Sequence, residues 1–301
     1  MRRWPTSSSA GEFDDSHLVQ TQCQQTYTNR MRKAKRARII RIFLLTGLAC
    51  AHCSLWAQGK SSTTRSKDAV ALVPFVGCES NGQGGPVKAP GGRKKAVIVP
   101  AEAAQRLSYY KAEEGVGVLA PRGWHCFGTY GSNGTTLYVS PDAINASDLF
   151  LTSWKGFAGP VVQISSEEGD TSGRFAVART VARVFPGHKA FVEGIIAEGI
   201  EPAGSFPYGP YPTDRLKYRS EDIVEFWTPP HAEGLGTASR LLKNDSPISG
   251  VAILFGEEPN LLQLWVRIPS DAGDLTDFII QQAEREAARF GIDAAGQKLS
   301  K

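Results

Sequence analysis

SGVAILFGEEPNLLQLWVRI, from Ser249 to Ile268, is the stretch that decides the fold of this chain. Its two apolar runs, Ser249–Phe255 and Leu261–Ile268, are rich in side chains that fit a pleated, buried surface. Between them Glu257-Glu258-Pro259-Asn260 is short and polar, which predicts a tight link between two strands. A third strand-like run, Asp222–Thr228, precedes the pair. After it comes an amphipathic helix predicted to begin at Asp274, where a carboxylate suits the free backbone amides and Asp277 suits the first-turn dipole. Leu275, Phe278, Ile279, Ala283 and Ala287 make its inward face. Strands in runs, without strict alternation with helices, predict an α+β domain: an antiparallel sheet with helices packed mainly on one face.

Working upstream, Phe175, Ala178, Val181, Ala182 and Phe185 line one helical face, and Phe191, Val192, Ile195 and Ile196 line a second, with Pro186-Gly187 between and Gly199 closing the pair. Pro160–Ser165 reads as a strand. Residues 124–140 read as a hairpin around Ser132-Asn133-Gly134, because an Asn-Gly pair favours the tight turn. Gly115–Ala120 reads as a further strand, and Pro100–Glu113 carries helical spacing through Ala104, Leu107, Tyr110 and Lys111. The single domain is therefore expected over 96–291, with a disordered tail at 292–301. Residues 58–95, rich in Gly, Pro, Ser and Lys, are expected to be a flexible linker whose short apolar segment, Val73-Pro74-Phe75-Val76, is tied to the body.

Residues 31–57 have the order of a bacterial export signal. Met31 is followed by Arg32, Lys33, Lys35, Arg36, Arg38 and Arg41, then the apolar Ile42–Ala51, then the small-residue end Cys53-Ser54-Leu55-Trp56-Ala57. Arg41 and His52 leave about ten good apolar residues where a spanning helix needs roughly 20. Cleavage after Ala57 is expected, with no stable membrane span afterwards and a periplasmic location; an uncleaved signal anchored in the inner membrane is the alternative. Residues 1–30 read as a non-native or disordered extension, with Met31 as the true start.

Export changes the meaning of the charge. Nine of the 34 basic and three of the 30 acidic residues precede Gln58, leaving 25 against 27, so the formal +4 belongs to the leader. With no basic patch left, nucleic-acid binding loses its electrostatic footing. Of five cysteines only Cys78 and Cys126 follow the leader, and in an oxidising compartment they are expected to form a disulfide. The other reading makes Cys126 a thiol nucleophile served by His188.

No catalytic residue can be assigned from motifs. A serine hydrolase commonly carries a Gly-x-Ser-x-Gly elbow, which is absent, and the histidines after the leader, His125, His188 and His231, show no metal-ligand spacing. No metal is expected. The carboxylates Glu167, Glu168, Asp170, Glu257 and Glu258 lie in predicted turns. Gly115-x-Gly117 and Gly234-x-Gly236 are too short for a dinucleotide loop, so no nucleotide or other cofactor is expected. The segment best suited to meet a partner is Ser205–Pro212. There Phe206, Tyr208 and Tyr211 alternate with prolines in a stiff backbone that loses little entropy on binding.

Two resemblances follow. The order of a helix, a strand, the Pro121-Arg122-Gly123-Trp124 turn and a hairpin, closed by two strands and an amphipathic helix, resembles the PsbP-like α+β sandwich. GWHCFGTYGSNG (Gly123–Gly134) together with FPYGPYP (Phe206–Pro212) resembles a family of exported bacterial proteins. The first implies an architecture and the second a location; neither implies an activity. The expected protein is a non-catalytic binding or assembly module of the cell envelope, its partner another envelope protein or a glycan. The alternative is a periplasmic hydrolase using His125 or His188 with a nearby Ser, Cys or carboxylate.

Overall fold

The structure is a computed structural model that describes residues 69–144 and 146–298, with side chains to 289. The export signal expected at 31–57, the cleavage expected after Ala57 and the extension expected at 1–30 lie outside the described residues. Among the described residues twelve strands form two sheets. The smaller contains β1 (Val70–Gly77), β3 (Lys94–Ile98), β4 (Leu107–Lys111) and β5 (Val118–Pro121), in the order β3-β1-β4-β5. The larger contains β2 (Ser80–Gly82), β6 (His125–Gly131), β7 (Gly134–Ser140), β8 (Val161–Glu167), β9 (Arg215–Tyr218), β10 (Ile223–Thr228), β11 (Ile248–Phe255) and β12 (Asn260–Arg267), in the order β2-β6-β7-β8-β12-β11-β10-β9. Apart from the parallel pair β2–β6 the larger sheet is antiparallel throughout.

The α+β class is as expected, but the helices serve both faces of the sheet. Successive strand side chains point to opposite faces. Leu137, Val139, Val162, Ile164, Leu262, Leu264 and Val266 therefore meet α4 (Thr276–Lys298) and the smaller sheet in one core. Val161, Leu261, Trp265, Ala252, Leu254, Val224 and Phe226 meet α2 (Arg174–Val184) and α3 (Lys189–Ala197) in a second. Burial on both faces explains why β11 and β12 read as nearly continuous apolar runs.

The structure corrects several boundaries. The helix expected over Pro100–Glu113 is the short α1 (Ala101–Arg106), and the chain then continues as β4. There Tyr109 pairs with Phe75 of β1 and Leu119 of β5, so sheet pairing overrides the local helical spacing. The stretch expected to be a linker carries β1, β2 and β3, because β1 finds backbone partners on both sides, in β3 and β4. The folded body thus starts near Val70 instead of Ala96. At the other end the backbone of α4 is helical to Lys298, past the expected boundary at 291. Asp274 lies in a 3-10 turn, Ser270–Leu275, ahead of α4, and its carboxylate accepts from Arg106 Nη1 at 2.7 Å.

Cys78 and Cys126 are bonded, with Cα atoms 5.4 Å apart. Cys78 follows β1 and Cys126 lies in β6, so the bond ties the smaller sheet to the larger one. The hairpin β6–β7 forms as expected, but it turns at Ser132-Asn133, one residue ahead of the expected Asn-Gly pair, with Gly134 paired to Gly131. Gly134 takes φ +136, and a Cβ there would sit 1.9 Å from the Ser166 carbonyl oxygen of β8, which restricts the position to glycine. Among the described residues no helix is long and apolar enough to cross a membrane.

Candidate functional site

The face of the larger sheet that meets α2 is not apolar throughout. Across β6, β7, β8 and β12 the residues Thr129, Thr136, Ser165 and Gln263 stand in register as one cross-strand row. Tyr138, Gln163 and Trp265 form the next. Toward β11 and β10 the first row becomes Ala252 and Val224, so polarity gives way to core at β12. These polar side chains floor a cleft of about 550 Å³, a volume within the usual range for small-ligand pockets.

Three segments wall it. On α2, Ala176, Arg179, Thr180 and Arg183 recur at the spacing that puts them on one helical face, while Val177, Val181 and Val184 enter the core. Ser205, Pro207 and Tyr211 come from the connection after α3, and Leu235, Ala238, Ser239 and Arg240 from the loop between β10 and β11. That loop is fixed from below. Asp214 accepts from Thr228 Oγ1 at 2.7 Å and from Leu235 N at 2.8 Å, and Gly236 N donates to Thr228 Oγ1. Arg267, only 2 % exposed, donates to the carbonyls of Phe157, Gly159 and Leu242. It thereby clasps the segments on either side of the Phe157–Leu241 bridge.

The floor is partly satisfied by the protein. Thr136 Oγ1 and Ser165 Oγ lie 3.0 Å apart, Arg240 N donates to Gln163 Oε1, and Thr180 Oγ1 donates to Gln263 Oε1 at 3.2 Å. Three guanidiniums face this floor. Arg179 is held by Glu201 at 2.7 Å. Arg183 stacks 4.1 Å over Tyr211 and donates to the Gly209 carbonyl, and Arg240 lies 5.6 Å from the Trp154 ring. Neither Arg183 nor Arg240 meets a carboxylate among the described residues.

Glu167, at the end of β8, is the one carboxylate of the lining. Burial pushes it up to about 7, against the pull of Arg179 and with help from Glu168. Between the ordinary carboxylate value of 4.5 and about 7 the folded state holds the extra proton, so rising pH costs stability across that window. Glu167→Gln removes this cost. We expect it to raise the unfolding free energy by about 2 kcal/mol at pH 8 and to leave it unchanged at pH 4, after discounting for partial exposure. Urea titrations at the two pH values measure the difference, and an equal effect at both would exclude the assignment.

The residues singled out from sequence are scattered. Phe206 is 1 % exposed in the second core and offers a partner no surface. Tyr208 is exposed beside Lys189, and Tyr211 lines the cleft. Cys126 is in the disulfide and is not a free thiol. His125 is exposed. His188 bonds Asp222 at 2.7 Å, away from the cleft lining, and no serine or cysteine side chain bonds it among the described residues. His231 pairs with Asp245 at the surface. Glu168, Asp170, Glu257 and Glu258 are exposed. Among the described residues no group of three or more His, Cys, Asp or Glu is placed to hold a metal ion. What the sequence reading missed is the floor. Its signal was present as polar residues inside largely apolar strands: Thr136 in β7, Gln163 and Ser165 two apart in β8, and Gln263 in β12. No family model, curated protein or solved structure matches the chain.

Proposed function

We propose that this chain is a non-catalytic binding module of the cell envelope, and that the cleft over β7, β8 and β12 takes a small polar ligand. One observation carries the reading: a floor of neutral hydroxyl and amide side chains, in register on three central strands, opens into a cleft where a core would otherwise place apolar groups. Rigid strands hold these groups in position before any ligand arrives, which lowers the entropic cost of binding. The export signal at 31–57 and a disulfide suited to an oxidising compartment support the location, as does the resemblance to exported bacterial proteins.

A thermal-shift panel of soluble polar compounds tests the reading, run on the wild type and on Ala176→Trp, whose indole would fill the cleft from α2. A compound that stabilises the wild type and leaves the variant unmoved is the expected result. The same stabilisation in both would place binding elsewhere. Export is tested separately by fractionating a Gram-negative host that expresses the chain from Met31 and weighing the product. A periplasmic species beginning at Gln58 is expected, and an unprocessed membrane-bound one would overturn the location.

A further inference from the structure

The neutral floor and the two unneutralised arginines lie in the same cleft, and together they describe a ligand more narrowly than polarity does. We infer that the cleft binds a carboxylate-bearing polyol, an acidic sugar of the hexuronate kind, with its carboxylate held by Arg183 and Arg240 and its hydroxyls by Thr136, Ser165 and Gln263. The inference rests on the binding reading above and adds the charge and the body of the ligand.

Charge comes first. Arg179 is already neutralised by Glu201, whereas Arg183 and Arg240 keep their guanidiniums without a carboxylate among the described residues. Each is steadied by an aromatic face, Tyr211 and Trp154, so less side-chain entropy is lost when an anion is taken up. A guanidinium presents paired N–H donors in the geometry of a carboxylate. No lysine lines the cleft. The one acidic group in the lining, Glu167, stands beside Arg179 at the end of β8, and burial weakens its charge at neutral pH. The body follows from the floor. Hydroxyls both donate and accept, and so do the Thr and Ser hydroxyls and the Gln amides beneath them. A ligand with an apolar body would cover these polar groups without offering them further hydrogen bonds, whereas a polyol extends the network they already form.

Glucuronate, methyl glucuronate and glucose 6-phosphate differ only at the C6 substituent, and they make the test. Ligand-observed NMR at millimolar concentration with the purified full chain gives the apparent affinities. Glucuronate is expected to bind at least tenfold more tightly than its ester, and Arg183→Gln and Arg240→Gln are each expected to weaken it at least tenfold. Lys217→Gln, which removes an exposed charge from β9 outside the cleft lining, is expected to change it less than twofold. The comparison of acid with ester uses the wild type, so it stands even if an arginine variant fails to fold. Equal binding of acid and ester, blocked for both by Ala176→Trp, would overturn the anionic assignment and leave the binding reading intact. Preference for the phosphate, or no binding of glucuronate, would overturn the carboxylate assignment. Binding of glucuronate that survives Ala176→Trp would remove the cleft itself as the site.

Discussion

Replacing Cys78 and Cys126 together by alanine is expected to lower the unfolding free energy by about 4 kcal/mol, from the entropy restored to an unfolded chain no longer closed across this loop. The two cysteines are 48 residues apart, so the loop is long enough for that term to be large. In a domain of this size the melting temperature should fall by about 10 °C. The effect should be unevenly distributed. β1 pairs with β4 over three residues within the smaller sheet, Phe75 to Gly77, and β2 with β6 over three within the larger, so without the bond the segment passing from one sheet to the other is held by little backbone pairing. Limited proteolysis should therefore open the chain between Gly82 and Arg93 before the larger sheet unfolds. Calorimetry and a timed digest of the double variant check both statements. An unchanged melting temperature would mean that packing alone already joins the sheets.

Arg267→Met should cost about 3 kcal/mol, the unpaired carbonyls of Gly159 and Leu242 contributing about 1–3 kcal/mol each. Phe157 O keeps a second donor, Leu242 N, and is spared. Release of a guanidinium from a site where burial already lowers its pKa offsets part of the loss. Arg267→Lys should recover little of it, because one ammonium cannot span three carbonyls that the planar fork reaches together. Denaturant titration gives the stability. A near-neutral methionine variant would show that the carbonyls find other donors. Ligand binding should weaken in the same variant, since the clasped segments carry Ser239 and Arg240 into the wall of the cleft.

The parts of the fold that were legible are those where the pattern is local. β10, β11 and β12, the hairpin and the helix pair around Pro186-Gly187 all stand close to where apolar spacing and turn residues put them. β1 and β3 were not legible because their stability comes from partners distant in sequence, and Val70 and Leu72 remain exposed, so alternation there carries little burial signal. β4 was misread for a related reason. Ala104, Leu107, Tyr110 and Lys111 do recur at helical spacing, yet Leu107 to Tyr110 are four consecutive buried residues in a strand covered on both faces, a pattern that spacing alone does not separate from a buried helix. The candidate site was less visible still. The residues singled out from sequence reached only its rim, with Glu167 and the Ser205–Pro212 segment that carries Tyr211, because the floor is built from Thr, Ser and Gln, whose commonness hides them. Only register across three strands makes Thr136, Ser165 and Gln263 a unit, and register is a tertiary property.

The position of Cys78 also has a mechanical meaning. A pull on the chain ahead of Val70 loads β1 from its free end, where it can be stripped from β3 and β4 one residue at a time. The stripping meets a covalent stop at Cys78, and the force passes through sulfur into β6, which is hydrogen-bonded on both sides, to β2 and β7. Tension on the chain ahead of Val70 thus extends at most the eight residues of β1 before it is borne by the larger sheet. β7, β8 and β12 lie beyond β6 in the larger sheet, so such a load reaches them through neighbouring strands and not at a free end.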